Sequence, residues 1–217
     1  MKTIHFADGR KLEVSKIIGV GRNYAEHAAE MNAKPTQEPV LFLKPPTSLY
    51  DIQSPIPIPR DFGAVHYELE LAVCMGDQGR QVKREQAMNL IAGYGIALDL
   101  TLRDKQKLAK DAGLPWATAK GFDHSCPIST FIPAEQIPDV QDLQLTFLLN
   151  GKMKQNASTG LMLFPVDELI AYISTYFTLH PGDLILTGTP AGVGPLSAGD
   201  QFEATISRIG SIKSKII

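Results

Sequence analysis

Alternation of apolar and polar residues predicts short strands along much of the chain. Leucine and phenylalanine occupy every second position over 143–149, which is the pattern of a half-buried strand. Asn150-Gly151 follows directly, and this dipeptide favours a tight hairpin turn. We therefore predict a hairpin with its turn at Asn150-Gly151, and further short strands within 1–20 and 200–217.

The clearest helical pattern covers residues 165–177. Pro165 suits the first position of a helix, and the apolar residues that follow recur at helical spacing, forming one stripe: Val166, Leu169, Ile170, Ile173 and Phe177. We interpret this stripe as part of the core. Shorter helices are predicted over 21–31, where Asn23 is a plausible N-cap, and over 84–91 and 101–112.

Residues 66–76 predict a strand that carries two acidic side chains on one face. Glu68 and Glu70 are two apart, so in a strand they project together, away from the leucines between and beyond them. Neighbouring carboxylates are costly to bury unless positive charge lies between them. A divalent cation would supply it. The alternative is a half-exposed strand whose polar face carries two glutamates.

Three further charged residues stand in apolar surroundings. Asp99 ends the apolar strand predicted over 93–99, so a counter-charge is expected near it. Lys44 follows the apolar run 40–43; a strand end with a snorkelling lysine is slightly favoured over a ligand contact. Lys120, among alanine, glycine and aromatic residues, is either an exposed loop lysine or a partly desolvated one.

His27 and Glu30 are three residues apart in a predicted helix and would share one face. A carboxylate beside an imidazole raises its basicity, as a general base requires. A solvated helix face with an incidental pair is the alternative. Farther along, the Gly/Pro-rich segment 187–195 could hold an anion with its backbone amides, but it lacks the Gly-Lys-Ser/Thr ending of a phosphate loop.

Composition narrows the classes of function. The chain has 217 residues and a formal net charge of −2, so we expect one domain over 1–217 and no nucleic-acid partner. No apolar run approaches the length of a membrane span and no signal-peptide pattern is present, so we expect no membrane association. Cys74 and Cys126 are interpreted as buried thiols in a reducing, cytoplasmic setting.

Six motifs, in order along the chain, resemble the fumarylacetoacetate hydrolase family, specifically its small acylpyruvase and oxaloacetate decarboxylase type. They are Gly-Arg-Asn-Tyr-Ala-Glu-His (21–27), Phe-Leu-Lys-Pro (42–45), His-Tyr-Glu-Leu-Glu-Leu (66–71), Ala-Leu-Asp-Leu-Thr-Leu-Arg-Asp (97–104), Ala-Lys-Gly-Phe-Asp (119–123) and Leu-Thr-Gly-Thr-Pro-Ala-Gly-Val-Gly-Pro (186–195). The resemblance implies an α+β, mainly β fold, a mixed β-roll with peripheral helices, and a homodimer. It also implies a Mg²⁺ or Mn²⁺ site.

Roles for individual residues follow from the same resemblance. The metal ligands would be Glu68, Glu70 and Asp99, which suit a hard cation. His27, oriented by Glu30, would activate water, and Lys120 with Gln106 would stabilise the oxyanion. The resemblance would also place three residues in contact with substrate: Arg22, Lys44 and Thr189.

The expected reaction is hydrolysis of the C–C bond of an acylpyruvate, such as acetylpyruvate or fumarylpyruvate, to pyruvate and a carboxylic acid. The same residues would support decarboxylation of oxaloacetate or its keto–enol tautomerisation, and family likeness alone does not choose among them. A non-catalytic relative that only binds a metal or a 2-oxo acid is the alternative from another class. Retention of a base beside the three carboxylates argues against it.

Overall fold

The computed structural model describes residues 2–31 and 36–217. Within these ranges the strands, in chain order, are β1 (Thr3–His5), β2 (Lys11–Glu13), β3 (Ile17–Gly21), β4 (Val40–Lys44), β5 (Leu49–Asp51), β6 (Val65–Tyr67), β7 (Leu69–Met75), β8 (Ile91–Leu98), β9 (Thr101–Leu102), β10 (Cys126–Ile128), β11 (Ile132–Pro133), β12 (Gln144–Leu149), β13 (Lys152–Ser158), β14 (Leu184–Leu186), β15 (Gly194–Pro195), β16 (Gln201–Ile206) and β17 (Gly210–Lys215). The helices are α1 (Ala25–Glu30), α2 (Arg84–Ala87), α3 (Arg103–Asp111), α4 (Ala117–Lys120) and α5 (Val166–Tyr176). Short 3₁₀ turns occupy Pro46–Ser48, Met88–Leu90, Ala134–Gln136 and Thr159–Leu161.

A mixed sheet forms the centre of the fold. Its strand order is β4-β3-β14-β7-β8-β10-β5, and β11 also pairs with β8. Every residue of β7 and β8 is buried. One face of these strands packs into the core that includes the antiparallel sheet β13-β12-β16-β17, and the other face packs into a second apolar cluster that includes Ile4, Phe6 and Phe131. Aromatic rings join the layers: Tyr67 stacks on Phe147 at 4.4 Å between centroids, and Phe147 on Phe202 at 5.7 Å. The mainly β mixed roll with peripheral helices is confirmed.

The two strongest local patterns are confirmed. β12 and β13 pair antiparallel around Asn150-Gly151, and both turn residues have positive φ, +51° and +73°, as a type I′ turn requires. The apolar stripe of α5 is buried from Val166 to Ile173. Pro165, however, is the N-cap and not the first helical residue, because its ψ of 162° is extended.

The predicted strand over 66–76 is divided at Glu68. β6 belongs to a small sheet with β15 and β9, while β7 belongs to the central sheet. Glu68 lies between the two strands and leaves both ladders: its carbonyl accepts from the Asp99 N–H at 2.9 Å, and the neighbouring Leu69 N–H donates to the Gln155 side chain at 3.0 Å. The half-exposed strand alternative is wrong, since β7 is buried on both faces.

The predicted N-cap of the first helix is also wrong. α1 begins after Tyr24, not after Asn23. The Asn23 side chain is instead buried and donates to the carbonyls of Phe164 at 3.1 Å and Thr187 at 2.8 Å, while accepting from the Phe164 N–H at 2.8 Å. It therefore fixes the start of α1 to two distant segments. The two cysteines are buried and free, as expected.

Candidate active site

Three buried carboxylates meet where β7 and β8 end. Leu69 pairs with Leu98 across these antiparallel strands, so the next residues outward, Glu68 and Asp99, are neighbours. Glu70 lies inside β7. One carboxylate oxygen from each of the three acids lies within 4.8 Å of the others. We call Glu68, Glu70 and Asp99 the acid cluster. Its members come together as the sequence predicts, although Glu68 lies outside a strand.

Lys120 supplies the main counter-charge to the acid cluster. It is the last residue of α4 and is buried, which excludes the exposed-loop alternative. Its ammonium donates to Glu68 Oε2 at 2.7 Å, to Thr101 Oγ1 at 2.7 Å and to the Asp99 carboxylate. Burial would lower the pKa of Lys120, but the nearby Asp99 and Glu68 carboxylates outweigh burial and raise that pKa, so the ammonium stays charged.

Lys44 lies against the acid cluster as well. The snorkelling strand-end interpretation is wrong, because Lys44 is only 1% exposed. Its Nζ is 2.7 Å from Asp99 Oδ1 and donates to Ser125 Oγ at 3.1 Å and to the Lys120 carbonyl. The side chain is thus occupied by protein partners.

The two glutamates of the acid cluster differ in their electrostatic surroundings. Burial would raise the pKa of Glu68, but the charges of Lys120 and Arg103 outweigh it and hold that pKa well below its usual range. Glu70 accepts a neutral hydrogen bond from the Gly188 N–H at 2.7 Å. Burial, followed by the charges of Asp99 and Glu68, raises the pKa of Glu70 well above its usual range. The charge of Lys120 opposes this rise without reversing it, so the negative charge of Glu70 is compensated only in part.

The donor set fits a divalent cation. Although Lys44 is close, Asp99 Oδ1 is buried without an aligned hydrogen bond among the described residues, and Lys120 compensates the charge of Glu70 only in part. A cation held by one oxygen from each carboxylate would satisfy both. Three hard oxygen ligands, with no thiolate or imidazole among them, match the preference of Mg²⁺ and Mn²⁺. They do not distinguish between those two ions.

The His27–Glu30 pair has the geometry of an oriented base. His27 Nδ1 lies 3.1 Å from Glu30 Oε2, and the imidazole is buried. With an ionised Glu30, the ring carries its proton on Nδ1 and leaves a lone pair on Nε2. The solvated-face alternative is wrong for His27, because its ring is buried and borders a cavity.

The Gly/Pro-rich segment after β14 brings backbone amides to two carboxylates. The Gly188 N–H bonds Glu70, and the Gly192 N–H donates to Glu30 Oε1 at 3.1 Å. Gly192 has a φ of +99°, and a Cβ there would lie 1.9 Å from the Lys154 carbonyl oxygen, so only glycine fits. The sequence predicts that backbone amides of this segment could bind an anion; in the structure these amides bind the carboxylates of Glu70 and Glu30.

Gln155 fixes this segment against β7, and the sequence analysis missed it. Its Nε2 donates to Thr189 Oγ1 and to the Pro190 carbonyl, both at 2.8 Å, while its Oε1 accepts from the Leu69 N–H. Thr189 borders the cavity, but its hydroxyl already donates to the Leu69 carbonyl at 2.9 Å. No local pattern in the exposed, polar strand β13 identifies Gln155.

Arg103 is the principal residue of the site that sequence reasoning passed over. Its guanidinium donates to Glu68 Oε1 and, at 2.7 Å, to Gln106 Oε1. Arg103 and Gln106 are three apart at the start of α3, a spacing that could have identified the pair.

Tyr24 was also missed: its hydroxyl is buried without a hydrogen-bond partner among the described residues, and burial, then the Glu70 charge, raises its pKa.

These groups surround one cavity of about 400 Å³, its open mouth included. Of the predicted site residues, those that border it are Arg22, His27, Glu68, Glu70, Gln106, Lys120 and Thr189. Those that support it from behind are Glu30, Lys44 and Asp99. Residues that border it without having been predicted are Val20, Gly21, Met31, Phe42, Arg103, Lys110 and Trp116. The wall thus combines carboxylates, a base, several cations and aromatic rings.

A sequence model for the C-terminal region of fumarylacetoacetate (FAA) hydrolase matches residues 16–217. The chain belongs to the fumarylacetoacetate hydrolase family. Within that family, the oxaloacetate tautomerase YcgM of Escherichia coli (strain K12) is 52% identical over 193 residues, 88% of each chain. The mitochondrial oxaloacetate tautomerase of Homo sapiens is 46% identical over 200 residues, which covers 92% of this chain and 90% of that one.

A solved structure of the family supports the same assignment. The fumarylpyruvate hydrolase of Pseudomonas aeruginosa, in complex with Mn²⁺ and pyruvate, superposes with a TM-score of 0.95 at 32% identity and covers 99% of this chain and 95% of that one. These relatives are enzymes of the fumarylacetoacetate hydrolase family. Among the described residues, no helix of this member is long and apolar enough to cross a membrane.

Proposed function

We propose that this protein is a divalent-metal-dependent tautomerase that interconverts the keto and enol forms of oxaloacetate. The observation that carries the proposal is the 52% identity to the Escherichia coli oxaloacetate tautomerase. Relatives named for oxaloacetate chemistry match at 45–52% identity, against 32% for the Pseudomonas aeruginosa hydrolase. Tautomerisation therefore replaces the acylpyruvate hydrolysis expected from the sequence as the first candidate.

The His27–Glu30 pair accounts for the proton transfer. His27 Nε2 removes a proton from C3 of the keto form; the C3–H electrons form the C2=C3 double bond, and the carbonyl electrons move onto the C2 oxygen. Glu30 holds the imidazolium through Nδ1. Return of the proton from His27 to that oxygen gives the enol, so no proton is consumed.

Positive groups lining the cavity stabilise the negative charge that develops during this transfer. Lys120 and Arg103 are held in place by Glu68 before substrate arrives, so they need little reorganisation. A divalent cation held by the acid cluster would supply further positive charge beside the 2-oxo group. Gln106, which accepts from Arg103, fixes the orientation of the guanidinium.

Acylpyruvate hydrolysis is the second candidate, favoured by the superposition on a fumarylpyruvate hydrolase in complex with Mn²⁺ and pyruvate. His27 would then take a proton from water, and the hydroxide would attack the distal carbonyl. The C–C bond would break with its electrons passing to the departing pyruvate enolate, which is protonated afterwards. The two candidates share a base and differ in whether water enters.

The test follows decay of the enol absorbance of oxaloacetate with the Mg²⁺-supplemented protein, beside pyruvate release from acetylpyruvate and fumarylpyruvate. We expect faster enol decay than in buffer, abolished by EDTA and reduced by His27→Gln. Enol decay at the buffer rate, with pyruvate released from an acylpyruvate, would favour the hydrolase. Oxaloacetate consumed with release of carbon dioxide would indicate a decarboxylase, the activity named for a Dictyostelium discoideum relative that is 46% identical.

Other expectations from the family resemblance remain predictions. Sedimentation velocity would test the homodimer, and metal titration would compare Mg²⁺ with Mn²⁺. A non-catalytic binding relative is disfavoured because binding alone requires no base beside the carboxylates, and this site retains one.

A further inference from the structure

Two cations that border the cavity have no acidic partner among the described residues. Arg22 and Lys110 both line it, and we call them the cation pair. Among residues 2–31 and 36–217, neither side chain makes a hydrogen bond or an ion pair, and Arg22 Nε is buried without a partner. A buried polar atom such as Arg22 Nε normally has a hydrogen-bond partner. Two unpaired cations on the wall of a cavity therefore indicate an anionic ligand.

The backbone at Arg22 is held in an unfavourable conformation. Its φ is +62°, in the left-handed region that residues other than glycine, asparagine and aspartate rarely adopt. The neighbouring Asn23 is fixed by three hydrogen bonds to distant backbone, which maintain this conformation. Backbone strain of this kind concentrates at ligand-binding positions, and here it accompanies an unpaired guanidinium.

Lys110 is positioned by an aromatic wall. Its Nζ lies 5.2 Å from the centroid of the Trp116 ring, and Trp116 packs against Phe42 with centroids 6.0 Å apart. Trp116 also lies over the glycine before Arg22: a Cβ on Gly21 would be 3.4 Å from the indole. The aromatic wall thus connects the two members of the cation pair.

The aromatic wall also connects the cation pair with the catalytic groups. Lys120 Nζ lies 4.8 Å from the centroid of the same Phe42 ring that contacts Trp116. A ligand whose one end reaches Lys120 and the acid cluster can therefore extend along these rings towards Lys110. Such a ligand needs negative charge at both ends.

We propose that Arg22 and Lys110 bind the second carboxylate of a dicarboxylic 2-oxo acid, so that the enzyme selects diacids over 2-oxo acids with an uncharged far end. The inference rests on the proposed function for the placement of the 2-oxo end at the acid cluster. It specifies the substrate class of that site. Oxaloacetate, with a carboxylate at each end, belongs to this class; acetylpyruvate does not.

Binding calorimetry tests the selection without turnover. The Mg²⁺-supplemented protein is titrated with 3,3-difluoro-oxaloacetate, which has no C3 hydrogen and cannot enolise, and with its 4-ethyl ester, which lacks the second charge. We expect the wild-type protein to prefer the diacid. Lys110→Met, and Arg22→Asn, which tolerates a positive φ, should each reduce the ratio of diacid to ester affinity by about tenfold, the size of one charge-assisted hydrogen bond.

A matched control comes from the same helix. Lys107 is exposed and paired with Asp111 at 2.6 Å, so Lys107→Met should keep the preference for the diacid. Equal affinities for diacid and ester in the wild-type protein, or a preference unchanged in both cation-pair variants, would overturn the inference. If oxaloacetate enolisation is not accelerated but the preference exists and disappears in Lys110→Met, the proposed reaction is wrong and the carboxylate subsite stands.

Discussion

Two members of the acid cluster, Glu68 and Glu70, border the same cavity as the cation pair, but the charges of the two groups are balanced in different ways. The carboxylates of Glu68 and Asp99 are matched inside the protein by Lys44, Lys120 and Arg103. The cation pair has no such match among the described residues. A group neutralised by its own protein is held rigidly for chemistry, whereas a group left without a partner is available to a ligand.

Glu70 is intermediate between these two cases. It is as deeply buried as the rest of the acid cluster, yet a backbone amide is its nearest donor. Within the part of the chain that the structure describes, charge is thus incompletely balanced at two points of the cavity: at Glu70, where Lys120 compensates only in part, and at Arg22 and Lys110, which have no acidic partner. A divalent cation together with a dianionic substrate would balance both, which is why the two proposals reinforce each other.

The largest expected effect on stability comes from removing Lys120, which balances the charge of the acid cluster. Lys120→Met removes one of the two cations that face each of Glu68 and Asp99, while Arg103 and Lys44 remain. Because the partner charges stay buried, we expect a loss at the lower end of the cost of breaking a buried pair, about 3 kcal/mol. Urea unfolding should report that loss in the free energy of unfolding. Lys107→Met, which removes an exposed pair on α3, is the control and should change stability little. A Lys120 variant as stable as wild type would mean that the acid cluster does not depend on this lysine.

Glu70→Gln should separate stability from activity. The substitution removes one of the three carboxylates that we propose hold the metal, so turnover should fall by at least about a hundredfold. It also removes a carboxylate whose pKa is raised in the fold. A carboxyl group with a raised folded pKa stabilises the folded state at pH values below its unfolded pKa, near 4.5. Its contribution to the free energy of unfolding is lost as pH rises through the folded pKa.

Metal-free wild-type protein should therefore lose stability as pH rises above about 4.5, and Glu70→Gln should lose less. Thermal unfolding in EDTA at several pH values checks this difference, and added Mg²⁺ should stabilise the wild type more than the variant. If the metal-free variant is instead the less stable protein above pH 4.5, burial and the neighbouring carboxylates do not destabilise the charge of Glu70 as described.

Much of this site could be predicted because its residues stand out locally. Glu68 and Glu70 interrupt an apolar run, Asp99 ends one, and His27 and Glu30 have helical spacing. Their convergence follows from the register of β7 and β8. The hairpin at Asn150-Gly151 and helix α5 were predictable for the same reason, since turn chemistry and periodicity act over neighbouring residues.

What was missed depends on contacts between distant segments. Nothing near Gln155 reveals that it fixes the segment of Thr189 against Leu69, and nothing near Asn23 reveals bonds to residues more than 140 positions away. Lys44 was misjudged because its counter-charge, Asp99, is distant in sequence. Lys110 has no local signal in the sequence, because what distinguishes it is that no acidic side chain in the described part of the structure pairs with it.

Substrate selection by the cation pair should depend on pH, because Lys110 loses its charge as pH rises. Burial, then the charges of Arg103 and Arg22, lowers the pKa of Lys110 to about 8; Lys120 acts in the same direction and Glu68 opposes it. Because kcat/KM reports groups of the free enzyme, the kcat/KM for oxaloacetate should fall about threefold to tenfold as pH rises through 8.

The measurement compares oxaloacetate with its 4-ethyl ester over pH 6.5 to 9.5, about one and a half units either side of that pKa. Their ratio isolates Lys110, because groups that act on both substrates cancel. In Lys110→Met the ratio should be flat. A ratio that falls equally in the variant would assign the titration to another group.

The smallest expected effect is on stability, and it tests the contrast with Lys120 directly. Lys110→Met removes a cation that faces Arg22 and Arg103 and has no described acidic partner, so no charge is left buried alone. The folded state already disfavours this charge, as the lowered pKa indicates, and its removal should leave the free energy of unfolding within about 0.5 kcal/mol of wild type, on the stabilising side. Urea unfolding beside Lys120→Met gives the comparison in one experiment. A loss as large as that of the Lys120 variant would mean that Lys110 also serves the fold, and the distinction between a balanced and an unpaired side of the cavity would fail.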